Sequence, residues 1–222
     1  MCRRLLGENI LVYNFFKKQL SKIKPLSKAL RKIWFLLPMN SHPREQILGL
    51  VPKNSICAEI GVWKGAYSKK ILTKTKPKTL HLIDPWEFQD QFPGRWYGGS
   101  IAKDQTDMDM IFRKVQNSFR NYENVIINRG KSNKILPEFP DSYFDWIYID
   151  GNHEYEFVLE DLSIGYLKLK PNGFIAGDDY NWKPEKNYPV KRAIKDFLKL
   201  NGFEDKLRVI DSQFIIKLPK ND

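Results

Sequence analysis

The 222-residue chain alternates between two hydrophobic patterns. Short, almost continuous apolar runs read as buried strands, and stretches with apolar residues three or four apart read as helices. The first run ends at Glu59, the second spans Thr79 to Asp84 and the third Asn124 to Asn128. The fourth ends at Asp150, and the fifth follows a Pro171-Asn172-Gly173 turn and ends at Asp178-Asp179. Helices are predicted from Gly65 to before Pro77, over Asp107–Phe119, after His153, and over Val190–Leu200. Strands alternating with helices predict an α/β, Rossmann-like, mostly parallel sheet with helices on both faces. Two short strands around Asp211-Ser212 read as a hairpin at the sheet edge.

The most informative stretch is Ser55 to Gly65, where a strand turns into a helix through Gly61, Trp63 and Gly65. Open α/β sheets bind ligands at such turns. Gly61 lets the chain reverse and a ligand approach, and Gly65 lets the helix pack closely. A dinucleotide fingerprint needs a glycine where Trp63 stands, so a pyrophosphate is disfavoured. No Gly-x-x-x-x-Gly-Lys-Ser/Thr sequence is present, which argues against a phosphate-cradling loop. Glu59 is placed to accept from an ammonium or from loop amides, and Asp84, closing the second strand, to hold two ribose hydroxyls. A nucleoside with a charged amino-acid tail and no phosphate describes S-adenosylmethionine (SAM). A dinucleotide and a purely structural turn are the competing readings. Gly130 and Ser132, just past the third strand, suit the lining of an adenine pocket.

In a parallel sheet the strand ends share one rim, so Asp150, Asp178 and Asp179 are expected to converge beside that ligand. Three carboxylates around one point make a hard oxygen site for magnesium, calcium or manganese, with Asn181 as a further oxygen. The alternative is that one acid caps a turn or that Asp150 meets a lysine. His153, three residues past Asp150, is the histidine best placed to take a proton from an acceptor hydroxyl. A metal-ligand role and a structural role compete. His81 lies within a strand and reads as a packed structural histidine. The stretch from Asp84 to about Asp107, rich in aromatics and glycine, is expected to be a lid or an acceptor-binding loop.

Composition refines this picture. The formal net charge of +11 is concentrated at the start. Residues 1–37 hold nine Lys or Arg and one acid, and the other 185 residues hold 28 basic and 25 acidic side chains. The domain expected over residues 38–222 is therefore nearly neutral, and nucleic acid is not its expected partner. Residues 1–37 read as two basic amphipathic helices forming an N-terminal extension. They suit packing on the domain, peripheral contact with an anionic membrane, or a polyanion. No run reaches the roughly 18–20 apolar residues of a spanning helix. The two cysteines, Cys2 and Cys57, form no disulfide framework, which fits a cytoplasmic setting.

Glu-Ile-Gly-Val-Trp-Lys-Gly, Leu-Ile-Asp84, Tyr-Ile-Asp-Gly-Asn-His and Gly-Asp-Asp-Tyr, in this order, resemble the class I SAM-dependent methyltransferases, and within them the macrocin-type sugar O-methyltransferase branch. The resemblance covers about Asn54 to Ile216. It implies a seven-stranded sheet whose last strand is antiparallel. It also implies magnesium held by Asp150, Asp178 and Asp179, with His153 as base, and a SAM site including Glu59, Gly61 and Asp84. Asn172 stands where the family carries a glycine, and asparagine tolerates the left-handed backbone required. The expected function is methyl transfer to a sugar, glycan or other small hydroxylated acceptor, in a chain that can self-associate. A metal-independent methyltransferase is one alternative. A membrane- or polyanion-associated module with a vestigial pocket is another, and a Rossmann dehydrogenase is the weakest.

Overall fold

The computed structural model of the chain describes residues 42–219. The two basic helices expected within residues 1–37 lie outside the described residues. Helix α1 (Pro43–Leu48) precedes strand β1 (Ile56–Ile60), helix α2 (Ala66–Thr75) and strand β2 (Thr79–Asp84). Helix α3 (Gln105–Phe119), strand β3 (Val125–Arg129), a one-turn α4 (Ser132–Ile135) and strand β4 (Phe144–Ile149) follow. Helix α5 (Tyr155–Lys168), strand β5 (Leu169–Gly177), helix α6 (Pro189–Asn201) and the hairpin β6 (Leu207–Ile210) and β7 (Gln213–Lys217) complete the described chain.

The seven strands form one sheet in the order β3-β2-β1-β4-β5-β7-β6. The first five strands in that order run parallel, and β7 pairs antiparallel with both β5 and β6. The central strands read as solid apolar runs because both of their faces are covered. The period of two separates the faces. Cys57, Leu80, Leu82, Trp146 and Tyr148 pack on one side with Tyr67 and Ile71 of α2 and Met108, Ile111 and Val115 of α3. Ala58, Ile60, Ile83, Ile147 and Ile149 pack on the other with Val158 and Leu162 of α5 and Ile194 and Phe197 of α6. His81 lies among Phe139, Tyr143 and Phe144, and burial drives its pKa down to about 4, as suits a packed structural histidine.

Two details differ from the sequence pattern. The Pro171-Asn172-Gly173 turn does not precede β5 but lies inside it, with Asn172 at φ 62 and a register shift against β4. Helix α3 begins two residues early because Asp104 caps it, its carboxylate accepting from the Asp107 amide. Among the described residues no helix is long and apolar enough to cross a membrane.

Candidate active site

The turn after β1 is tied to the end of β2 by a carboxylate. Asp84 Oδ2 accepts the amides of Val62 and Trp63, each at 2.9 Å, and Oδ1 accepts the Trp86 amide at 2.7 Å. Trp63 and Trp86 both have left-handed backbones, and the Trp86 indole N–H donates to the Trp63 carbonyl at 2.9 Å. Asp84 thus holds the turn in shape, where the sequence suggested a ribose acceptor. Burial raises its pKa, against the three amides that favour the carboxylate. Gly61 has φ 84, and a Cβ there would lie 2.1 Å from the Asp150 carbonyl oxygen. The room it saves is taken by the end of β4, so the glycine is needed for the close approach of β1 and β4. Gly65 follows the expectation: at φ 73, a Cβ would lie 2.7 Å from the Phe119 ring of α3.

Glu59 faces inward. It is 1% exposed and accepts from the Ser68 hydroxyl of α2, so it does not present an oxygen at the rim. Burial pushes its carboxyl up to about 8, against the Ser68 hydrogen bond. Between about pH 4.5 and 8 the unfolded chain ionises Glu59 while the folded chain keeps its proton, so stability falls as pH rises through that window. Glu59→Gln removes this loss. It is expected to gain on the order of a few kcal/mol over the parent at pH 8, with little gain at pH 4, measured by denaturant unfolding.

Past β2 and β3 lies an open cavity of about 560 Å³, lined by Trp86, Glu87, Gln105, Asp109, Arg129 and Lys131, with Gly130 also at its wall. Arg129 pairs with Asp109 at 2.5 Å and Lys131 with Glu87 at 3.0 Å. Ser132 is turned away toward Asp161, a buried acid of α5 whose carboxyl burial pushes up to about 7, against that hydrogen bond. Size, polar edges and an aromatic wall fit a nucleoside.

On the other side of β1, at the ends of β4 and β5, the acids converge as expected, but in two groups. Asp150 Oδ1 and Asp179 Oδ2 lie 3.7 and 3.3 Å from His153 Nε2, and one ligand atom from each of the three falls within 4.8 Å of the others. Two carboxylates at this spacing fit a divalent cation, with the imidazole beside them placed either as a third ligand or as a base. Burial raises the Asp179 pKa; His153 opposes this, and the negative charges of Asp178 and Asp150 add to it. Asp178 points elsewhere. Its Oδ1 accepts from Ser212 Oγ at 2.9 Å, from the Asp179 amide at 2.7 Å and from Gln213 Nε2. Its Oδ2 accepts from Arg44 Nε at 2.5 Å. The same guanidinium donates to Asp150 Oδ2. Asn181, offered as a further ligand, is tied by its side-chain N–H to the Asp211 carbonyl at 2.8 Å.

The sequence pattern missed Arg44, which lies 134 positions from Asp178 with no local signal. It also missed the wall beside His153. Trp182 lies edge-on to the imidazole at 5.5 Å, and the Arg95 guanidinium sits 4.1 Å over the Trp182 ring while pairing with Glu154 at 2.8 Å. Trp96, 58% exposed, leans on Trp63 at 5.8 Å. The aromatic loop therefore reaches both the β1 turn and the helix entry after β4.

Residues 58–180, more than half of the chain, match the protein family described as "Methyltransferase domain", and the chain belongs to that family. It is a SAM-dependent methyltransferase with the class I fold. The O-methyltransferase NovP is similar in structure, with a TM-score of 0.57 and 21% identity over 82% of each chain. A putative SAM-dependent methyltransferase from Methanococcus maripaludis has the same TM-score at 17% identity, covering 88% of this chain and 93% of that one. The uncharacterized protein R132 of Acanthamoeba polyphaga mimivirus is 25% identical over 163 residues, which cover 71% of this chain and 68% of that one.

Proposed function

We propose that this enzyme methylates a hydroxyl of a sugar, or of a similar small acceptor with neighbouring oxygens, with help from a divalent cation, magnesium foremost. The observation that carries the reading is the meeting of Asp150, His153 and Asp179 on the rim beside the β1 turn. Strand order supports a layout for the cofactor: nucleoside toward the cavity past β2 and β3, and reactive end over β1 toward β4. Gly61, Trp63 and Gly65 shape the turn beneath it, and Gly130 lies at the cavity wall.

SAM brings an already activated methyl group, and a cation held by Asp150 and Asp179 would make an acceptor hydroxyl more acidic. The chain's own work is alignment and proton removal. His153 Nε2 takes the acceptor proton, and the Asp150 and Asp179 carboxylates face the imidazolium that results. Trp182 holds the imidazole edge-on. Trp96 and Trp63 offer an apolar platform for the face of a sugar ring, and Arg95 closes the wall.

Arg44 favours a second reading, without metal, because its guanidinium already faces two of the three acids. Calorimetry with SAM or its demethylated product, first with magnesium and then with chelator, tests the cofactor. An acceptor screen among sugars under both conditions decides between the two readings. The expected result is cofactor binding in both conditions and turnover with magnesium alone. Turnover that survives exhaustive chelation selects the metal-free reading.

A further inference from the structure

Arg44 is a fixed part of the site. Its helix is buried through Ile47 and Leu48, and Glu45 ties it to α2 through Lys70 at 3.2 Å and Lys74 at 3.3 Å. The Tyr67 hydroxyl donates to the Arg44 carbonyl at 3.0 Å, and the guanidinium lies 5.0 Å over the Tyr67 ring. Burial alone would depress the guanidinium, but Asp150, Tyr148 and Asp178 outweigh it and hold it above the ordinary arginine value. A guanidinium stays charged at any ordinary pH, so Arg44 is a permanent cation.

Its effect falls on Asp178. A carboxylate has about four acceptor positions. In Asp178 the Asp179 amide, Ser212 and Gln213 crowd Oδ1, and Oδ2 faces the Arg44 guanidinium, which approaches it through both Nε and Nη2. Gln213 is itself set by the Tyr148 hydroxyl, which donates to its Oε1 at 2.6 Å. Asp150 is divided differently, with Oδ2 on Arg44 and Oδ1 turned toward His153. Arg44 thus sets one fixed positive charge against two of the three carboxylates.

We propose that Arg44 is a positioning residue that sets cation selectivity at the methyl-transfer site, by taking Asp178 out of the ligand set and presenting Asp150 through one oxygen. The proposal rests on the cation reading above. It deepens that reading by naming two ligating carboxylates where three were expected, and a built-in cation in place of the third.

The test is titration of the full chain with Mn²⁺, followed by electron paramagnetic resonance, and with Tb³⁺, followed by luminescence. Parent, Arg44→Gln and Arg44→Lys are compared, with thermal melts to confirm folding. Arg44→Gln frees a third carboxylate and removes a positive charge, so the preference for Tb³⁺ over Mn²⁺ is expected to rise about tenfold or more. Charge is restored in Arg44→Lys, and its preference is expected within about threefold of the parent. An unchanged preference in a folded Arg44→Gln overturns the role of Arg44 and leaves the cation reading standing. Binding by Arg44→Gln but not by the parent also overturns it, since Arg44 would then exclude the ion. No binding by any protein overturns both readings.

If Arg44→Gln melts early, Asp178→Asn and Asp179→Asn serve in its place. Asp179→Asn is expected to weaken Mn²⁺ binding at least several-fold more than Asp178→Asn. Equal losses overturn the proposal.

Discussion

His153→Ala is expected to lower methyl transfer by roughly 10²–10⁴-fold, the usual contribution of a positioned general base. SAM affinity should stay within a few-fold, because in the proposed layout the nucleoside is held past β2 and β3 and only the reactive end lies toward the imidazole. A base role and a ligand role for His153 separate on one further reading. A base that does not ligate leaves Mn²⁺ affinity nearly unchanged, whereas a ligand loses it along with turnover. The base role also predicts that the loss shrinks at high pH, where hydroxide and a more ionised acceptor do part of the work. The measurement is methyl transfer from labelled SAM to an acceptor returned by the sugar screen, across pH, beside an Mn²⁺ titration. Turnover within threefold of the parent would sink the base assignment. In that case alignment and the carboxylates alone would account for the rate.

The backbone of this site was legible in the sequence, and much of its wiring was not. Strand ends share a rim in any parallel sheet, so Asp150, Asp178 and Asp179 were bound to approach one another once the runs were read as strands. Rotamers and long-range partners decide which oxygen points where, and these leave no periodic signal. Asp178 looked like its neighbour Asp179 until Ser212 and Gln213 took up its Oδ1 and Arg44 its Oδ2. Glu59 and Asp84 sit at the strand ends a cofactor uses, but the turn needs them first. One meets Ser68, and the other satisfies three amides that a tight turn would otherwise leave without partners. The wall beside His153 comes from Arg95, after β2, and Trp182, after β5, two loop residues on either side of the β1–β4 pair that no spacing rule joins.

Gly61→Ala is the substitution with the largest expected effect on stability, because two independent costs meet at one atom. At φ 84 a side chain is strained whatever its surroundings, which costs about 1–2 kcal/mol. The new Cβ would also lie 2.1 Å from the Asp150 carbonyl oxygen, 2.4 Å from its carbon and 2.7 Å from Gly151 Cα. These are backbone atoms at a place where the ladder gives little. The Asp150 amide donates to the Ile60 carbonyl at 2.8 Å, and the Gly61 amide to the Ile83 carbonyl at 2.9 Å, so β1 is tied on both sides. Relieving the clash means parting β1 from β4, and overpacking of that kind costs a further ~1–3 kcal/mol. The sum, about 2–5 kcal/mol, corresponds to a fall in melting temperature of roughly 5–15 °C for a chain of this size. Gly94→Ala is the control, since a Cβ there meets nothing within 4 Å and should leave the melt unchanged. The same displacement moves Asp150, so a Gly61→Ala protein that still folds should also bind Mn²⁺ more weakly than the parent. A variant that melts with the parent yet loses the ion would show that β1 and β4 can separate cheaply, and that Gly61 serves the site more than the fold.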